Sequence, residues 1–187
     1  MVNPTFICLD LETTGLDPTS DCILEIGISV TDESLNIIDS FESIVWPTKS
    51  LDDLNDVVRQ MHTVNHLIDD IRGIDRSKSQ VPAVDLVETR ILEWFDSMEL
   101  QSGKFPMMGS SVHFDRGFLR VHMPRVESFF SFMNIDVSSI KNLIKIWEPD
   151  NRWFPKDRPH RALADVANTL DEASFYYNNF FNRSKNA

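Results

Sequence analysis

A chain of 187 residues, 42% of them apolar, is long enough for one domain with a sizeable core and too short to suggest two. Asp and Glu number 29 against 18 Lys and Arg, a net charge of −11. A protein that grips long duplexes by neutralising many phosphates is usually basic, so an enzyme of nucleic acid with this charge must engage few phosphates, through metals and a local basic patch. No stretch has the length and apolarity of a membrane-spanning helix, and Met1 to Thr5 carry no secretory signal. Cys8 and Cys22 sit in apolar runs and read as buried thiols of a reducing compartment, the cytoplasm, although two cysteines also allow a disulfide.

The first strand is expected over residues 5–12, ended by the turn signal Thr13-Thr14-Gly15. β-branched runs at 22–31 and 36–46, joined by the turn at 32–34, predict two more strands and an antiparallel meander. Short helices are expected at 51–60 and 63–71, starting near Asp52 and Thr63, before a polar surface loop at 72–80. Val84, Val87, Ile91, Leu92 and Phe95 recur at helical spacing up to about Met98. A buried strand at 105–109, a helix at 114–122, a second short helix, an edge strand at 135–138 and a helix at 138–147 follow. The proline-containing stretch 148–159 reads as a loop. The last helix is expected over 161–181, with Leu163, Val166, Ala167, Leu170, Ala173 and Tyr177 as its apolar stripe. This order of elements predicts an α/β domain with a mixed central sheet, three antiparallel strands plus short parallel ones, flanked by helices.

Asp10 and Glu12 are two residues apart in a strand and therefore share a face. Adjacent anions repel, and a hard cation with oxygen ligands relieves the repulsion; two exposed acids at a strand end is the plainer reading. Asp115 sits where a loop enters a helix, a place that also suits a capping acid. Asp165, one turn into the last helix, falls opposite the apolar stripe with Asn168, Glu172 and Asn179, which periodicity alone makes a solvated face. His160 follows Pro159 and shares no helical face with Asp165; it should ride on the loop, free to swing, as a base or as an ordinary exposed histidine. Taken together the chemistry is coherent. Four carboxylates can hold two divalent cations, Mg²⁺ or Mn²⁺, about 3.5–4 Å apart, and His160 can take the proton of an attacking water. The product would be a nucleoside 5′-monophosphate.

These residues carry a resemblance. Asp10-Leu11-Glu12-Thr13-Thr14-Gly15-Leu16, then Asp115, then His160 and, after four intervening residues, Asp165, resemble the DEDDh 3′–5′ exonucleases of the ribonuclease-H-like fold. Ile23-Leu24-Glu25-Ile26, His62-Thr63, Asp115-Arg116-Gly117-Phe118-Leu119, Met123-Pro124, Asp136-Val137-Ser138 and His160-Arg161-Ala162-Leu163-Ala164-Asp165 make the chain most similar to the oligoribonucleases, over about residues 6–180. The resemblance implies metal ligation by Asp10, Glu12, Asp115 and Asp165, with His160 as general base. It implies substrate contacts at Thr13, Gly15, Leu16, which packs against a base, His62, Ser111 and Ser138, the serines lying near the terminal phosphate. It also implies a homodimer acting on very short single-stranded RNA. A DNA exonuclease and a binding module without catalysis are the competing readings.

Two departures stand out. The family's aromatic wedge aligns here with Val57, and aromatic stacking is worth ~1–3 kcal/mol per base. The family's His-Tyr-Arg segment, which caps the substrate's 5′ phosphate from the partner subunit, reads here Ser131-Phe132-Met133-Asn134. Losing a charge-assisted phosphate contact weakens selection for dinucleotides. A more open substrate end that accepts longer strands is expected, served by a basic patch of Lys141, Lys145, Arg152, Lys156, Arg158 and Arg161.

Overall fold

A computed structural model of the chain describes residues 3–75, 77, 81–150, 153–155 and 159–181. Five strands form one mixed sheet in the order β3-β2-β1-β4-β5. β1 (Phe6–Thr13), β2 (Ile23–Thr31) and β3 (Ile37–Ile44) are the expected antiparallel meander. The short strands β4 (Met107–Gly109) and β5 (Asn134–Asp136) add in parallel on the other side of β1. β1 and β2 are central and buried on both faces, which explains why their apolar runs are nearly continuous.

The two faces differ in chemistry. Ile7, Leu9 and Leu11, with Ile26 and Ile28 beside them, pack against α3 (Val84–Ser97), α4 (His113–His122) and α5 (Pro124–Phe129). The opposite face carries Cys8, Asp10 and Glu12, and is covered by α6 (Val137–Trp147) and α7 (Ala162–Tyr176). Alternation along β1 thus sends apolar side chains one way and both acids the other. Cys8 and Cys22 are buried free thiols.

The region after β3 departs from expectation. Residues 51–53 form only a 3₁₀ turn, and α1 runs over Asp56–Val64, because Asn55 caps it by accepting the Val58 N–H. Thr63 does not start a helix; its hydroxyl bonds the Arg59 carbonyl inside α1. α2 (Leu67–Arg72) begins only after His66, which takes left-handed φ of 64°. The final helix ends earlier than expected, at Tyr176, and passes into a π turn over Tyr177–Phe181. Its buried stripe is Ala162, Val166, Thr169, Leu170, Glu172 and Tyr176, whereas Ala167 and Tyr177 are exposed. Trp147 stands largely exposed at the end of α6.

Candidate active site

The site lies beyond the C-terminal ends of β1 and β4. β4 stops at Gly109, and past that point the Leu11 N–H donates to Asp115 Oδ1 at 3.1 Å. Asp115, in the first turn of α4, is thereby fixed beside the β1 residue that separates Asp10 from Glu12. The opposite wall is delivered by α7. In the β1–β2 ladder Asp10 faces Gly27 and Glu12 faces Glu25. A Cβ on Gly27 would lie 2.4 Å from the Leu163 nitrogen and 2.5 Å from the Ala162 carbonyl carbon. Only a missing side chain lets the first turn of α7 lie directly on the sheet next to Asp10. Asp165, three residues into that turn, is carried over the acidic face.

The result is a convergence of groups distant in sequence. One ligand atom from each of Glu12, His160 and Asp165 lies within 4.8 Å of the others. Asp10, His160 and Asp165 line one side of a cleft of about 400 Å³. The other side carries Ser110, Ser111, Ser138, Lys141 and Asn142. The face of α7 expected to be solvated is therefore the cleft wall, and Glu172 on it is buried, taking Tyr176 Oη–H at 2.8 Å and Lys141 Nζ at 3.3 Å on Oε1.

Two of the acids are electrostatically strained. Burial, with the charges of Asp165, Glu25 and Asp115, pushes the Glu12 carboxyl up to about 8. Burial also raises Asp115, to about 7, against the hydrogen bonds that favour its anion. Glu25, directly across from Glu12 and fully buried, would add a further like charge. It is answered by Arg161, whose Nε and Nη2 donate to its carboxylate at 3.0 and 2.7 Å, while the Ala162 N–H donates at 2.8 Å. Arg161 also bonds Asp70 at 2.8 Å. It is thus a structural clamp rather than part of a substrate-steering patch. Arg152, Lys156 and Arg158, expected in that patch, lie outside the described residues, and Lys145 sits over the Trp153 ring at 5.6 Å.

The residues around the acids are held firmly. His160 has a left-handed φ of 52°, and its carbonyl accepts a hydrogen bond from Asn65 Nδ2, so its backbone is tethered rather than free to swing. His62 is fully buried behind Glu12. Its Nε2 lies 3.1 Å from the Thr13 carbonyl and its Nδ1 3.8 Å from Glu12. A carbonyl can only accept, so Nε2–H donates to Thr13, and burial, by lowering the His62 pKa, weighs against charge on the ring. Thr13 and Gly15 shape the following turn. The Thr13 hydroxyl donates to the Gly15 carbonyl at 2.7 Å, and a Cβ on Gly15 would meet the Asp21 carboxylate at 2.3 Å. That turn presents Leu16, 82% exposed. On the far wall, Asp136 Oδ1 accepts the N–H groups of both Ser111 and Ser138, at 3.0 and 2.9 Å, tying the loop before α4 to the start of α6.

Sequence reasoning missed Gly27, the Glu25–Arg161 pair and Asn65. A glycine inside an otherwise β-branched strand was the available signal for the first. A still larger cavity, about 730 Å³, is bordered by Phe6, Leu35, Tyr176 and Phe181 and is apart from the carboxylates.

The exonuclease family model (RNase T) matches residues 7–173. The oligoribonuclease of Thiobacillus denitrificans is 37% identical over 96% of this chain and 97% of its own length. That of Shewanella amazonensis is 38% identical over 94% of each. Among solved structures, the fold matches exonuclease I from Methylocaldum szegediense (TM-score 0.69, 19% identity, 96% of this chain and 42% of that one). It also matches cell-death related nuclease 4 (TM-score 0.68, 17% identity, 94% and 64%). The chain belongs to the exonuclease family, as an oligoribonuclease-like member.

Proposed function

We propose that this protein is a divalent-metal-dependent 3′–5′ exoribonuclease that degrades short single-stranded RNA to nucleoside 5′-monophosphates. The observation that carries the reading is the convergence of Glu12, His160 and Asp165 on a cleft shared with Asp10, with Asp115 fixed beside them. The donor set suits a hard cation. Its carboxylates offer only oxygen, and two of them are held above the usual carboxylate range, Glu12 by burial and the charges of Asp165, Glu25 and Asp115, and Asp115 by burial and the charge of Asp136, a penalty that a bound cation would relieve. Asp10, Glu12, Asp115 and Asp165 would hold Mg²⁺ or Mn²⁺. Such ions, when bound, activate water and stabilise charge on the leaving 3′ oxygen. The chain's own residues supply the rest. His160 takes the proton of the attacking water. His62 backs Glu12, Leu16 and the Thr13–Gly15 turn meet the terminal base, and Ser111 and Ser138 donate to phosphate.

The substrate end supports a broader length range than dinucleotides. Val57 is 77% exposed on α1 and offers no ring for stacking; Phe132, 90% exposed, and Met133 offer no cation for a 5′ phosphate. Exposed Leu143, Ile146 and Trp147 on α6 support a homodimer. Buried free thiols support action in the cytoplasm, and among the described residues no helix is long and apolar enough to cross a membrane. The test is product analysis over time on 5′-labelled single strands of two to ten nucleotides, RNA and DNA in parallel, with Mg²⁺ and with Mn²⁺. Stepwise release of mononucleotides from RNA, abolished in Asp10→Ala, is expected. A strong preference for the dinucleotide overturns the length reading, and preference for DNA overturns the substrate class.

A further inference from the structure

The base at position 160 needs its ring turned back over the carboxylates, and its backbone shows how that is arranged. His160 is the last residue but one before α7, and its left-handed φ of 52° is a costly conformation for a residue with a Cβ. Such a conformation persists only where the surroundings fix it. On its C-terminal side the Arg161 guanidinium and the Ala162 N–H are both locked to buried Glu25. On the carbonyl of His160 itself the partner is Asn65, the C-cap of α1.

The orientation of the Asn65 amide is determined by its neighbours. Its Oδ1 accepts the Leu67 N–H at 3.0 Å, so Nδ2 must face the His160 carbonyl. The same Nδ2 lies 3.5 Å from His62 Nδ1, the nitrogen left as acceptor once Nε2–H serves Thr13. The Asn65 carbonyl in turn receives Arg161 Nη1 at 3.4 Å. One amide therefore links the turn between α1 and α2, the histidine behind Glu12, and the backbone of His160.

We infer that Asn65 is a positioning residue: its amide donor holds the His160 peptide in the left-handed conformation that aims the imidazole at the metal cleft. This rests on the exonuclease reading above and deepens it by naming what sets the base. Asn65→Asp isolates the role. The variant is isosteric and keeps an oxygen for Leu67 N–H, so the α1–α2 turn is retained. It removes the donor to His160.

Three readouts decide the matter. In Asn65→Asp the pH-independent plateau of kcat falls at least tenfold, with KM within threefold. Mn²⁺ affinity stays within threefold and the melting temperature within about 4 °C of the parent. In ¹⁵N-histidine NMR of the metal-free protein, the His160 ring of the variant averages over more than one environment where the parent shows one. A new negative charge alone would shift the acidic limb of the pH profile and leave the plateau intact; that outcome overturns the proposal, as does a fall in kcat matched by loss of Mn²⁺ affinity. The NMR arm needs no turnover. A parent protein that hydrolyses no strand would overturn the exonuclease reading alone, while an unchanged His160 spectrum in the variant would overturn the positioning role alone.

Discussion

Gly27→Ala perturbs the site without touching any group that could meet substrate or metal. The added methyl carbon would stand 2.4 Å from the Leu163 nitrogen, 2.5 Å from the Ala162 carbonyl carbon and 2.7 Å from the Leu163 Cα. All three are backbone atoms, so no side-chain rotation relieves the contact. Ordinary contact needs ~3.5 Å, and the first turn of α7 must lift by about 1 Å. Overpacking of this kind costs about 1–3 kcal/mol, and the upper end applies because β2 is central and α7 is pinned through Arg161 to Glu25. For a chain of this size that is a fall in melting temperature of roughly 6–12 °C. The same displacement carries His160 and Asp165 away from Glu12, and a misplacement of ~1 Å at a reacting centre can cost on the order of 100-fold in rate. Thermal melting, Mn²⁺ titration and turnover of a labelled RNA pentamer measure the three consequences. A variant with parental melting and parental kcat would refute the claim that α7 bears on the sheet at this point, and with it the account of how the site is assembled.

Other perturbations have equally definite outcomes. Arg161→Ala strands Glu25 in the interior with only the Ala162 N–H, and should cost about 3–5 kcal/mol in urea unfolding; Glu25→Gln should cost less, because it leaves Arg161 partly solvated. Val57→Trp should lower KM for dinucleotides, by a factor corresponding to ~1–3 kcal/mol of stacking, with kcat little changed. Lys141→Met should lower the melting temperature, because buried Glu172 loses its cation, and should also raise KM and reduce the salt dependence of strand affinity, by a slope of about 0.7 if one phosphate contact is lost. In EDTA the protein should lose stability as pH rises from 6.5 to 8.5. Glu12 is still protonated in the folded state at the lower pH but already ionised in the unfolded chain, so its raised value of about 8 stabilises below that range and the contribution fades as pH passes through it, by on the order of 2 kcal/mol. His62, whose pKa burial lowers, acts the opposite way near pH 6.5, where the ring is still about half protonated in the unfolded chain, and that opposing effect is spent as pH rises further. Saturating Mg²⁺ should flatten or reverse this dependence, and melting curves that rise with pH in EDTA would contradict the assignment.

What was legible in the sequence was what repeats locally. Alternation placed Asp10 and Glu12 on one face of β1, and 3.6-residue spacing found α3 and most of α7. What was not legible depends on partners far along the chain. Periodicity assigned Glu172 to solvent, yet Lys141 on α6, together with the Tyr176 hydroxyl one turn along its own helix, makes burial tolerable. The α1–α2 boundary was missed because His66 occupies a left-handed position where glycine would have announced a break. Glu25 and Arg161 are 136 residues apart, and nothing local distinguishes their pairing from two solvated charges.

The pairing of Arg161 with Glu25 rather than Glu12 is what makes the acidic face usable. The two glutamates are direct cross-strand partners, and both are buried. A cation placed evenly between them would stabilise the fold and fill the place proposed above for a divalent ion. The chain instead gives Glu25 three donors on one side, two from Arg161 and one from Ala162. Among the described residues Glu12 has the long contact from His62, the repulsion of its acidic neighbours and a weaker attraction from Arg161. Stability is thus concentrated at the position that holds α7 to the sheet, and the electrostatic deficit is concentrated one strand away, beside Asp115 and Asp165. A protein in which Arg161 reached Glu12 would be more stable without metal and poorer at binding it. Moving the positive charge by a Glu25→Lys, Arg161→Glu exchange should leave the pair intact while placing the lysine next to Glu12. The exchange should raise the melting temperature in EDTA relative to either single variant and weaken Mn²⁺ binding by at least tenfold; unchanged Mn²⁺ affinity in that protein would show that the asymmetry is not what prepares the site.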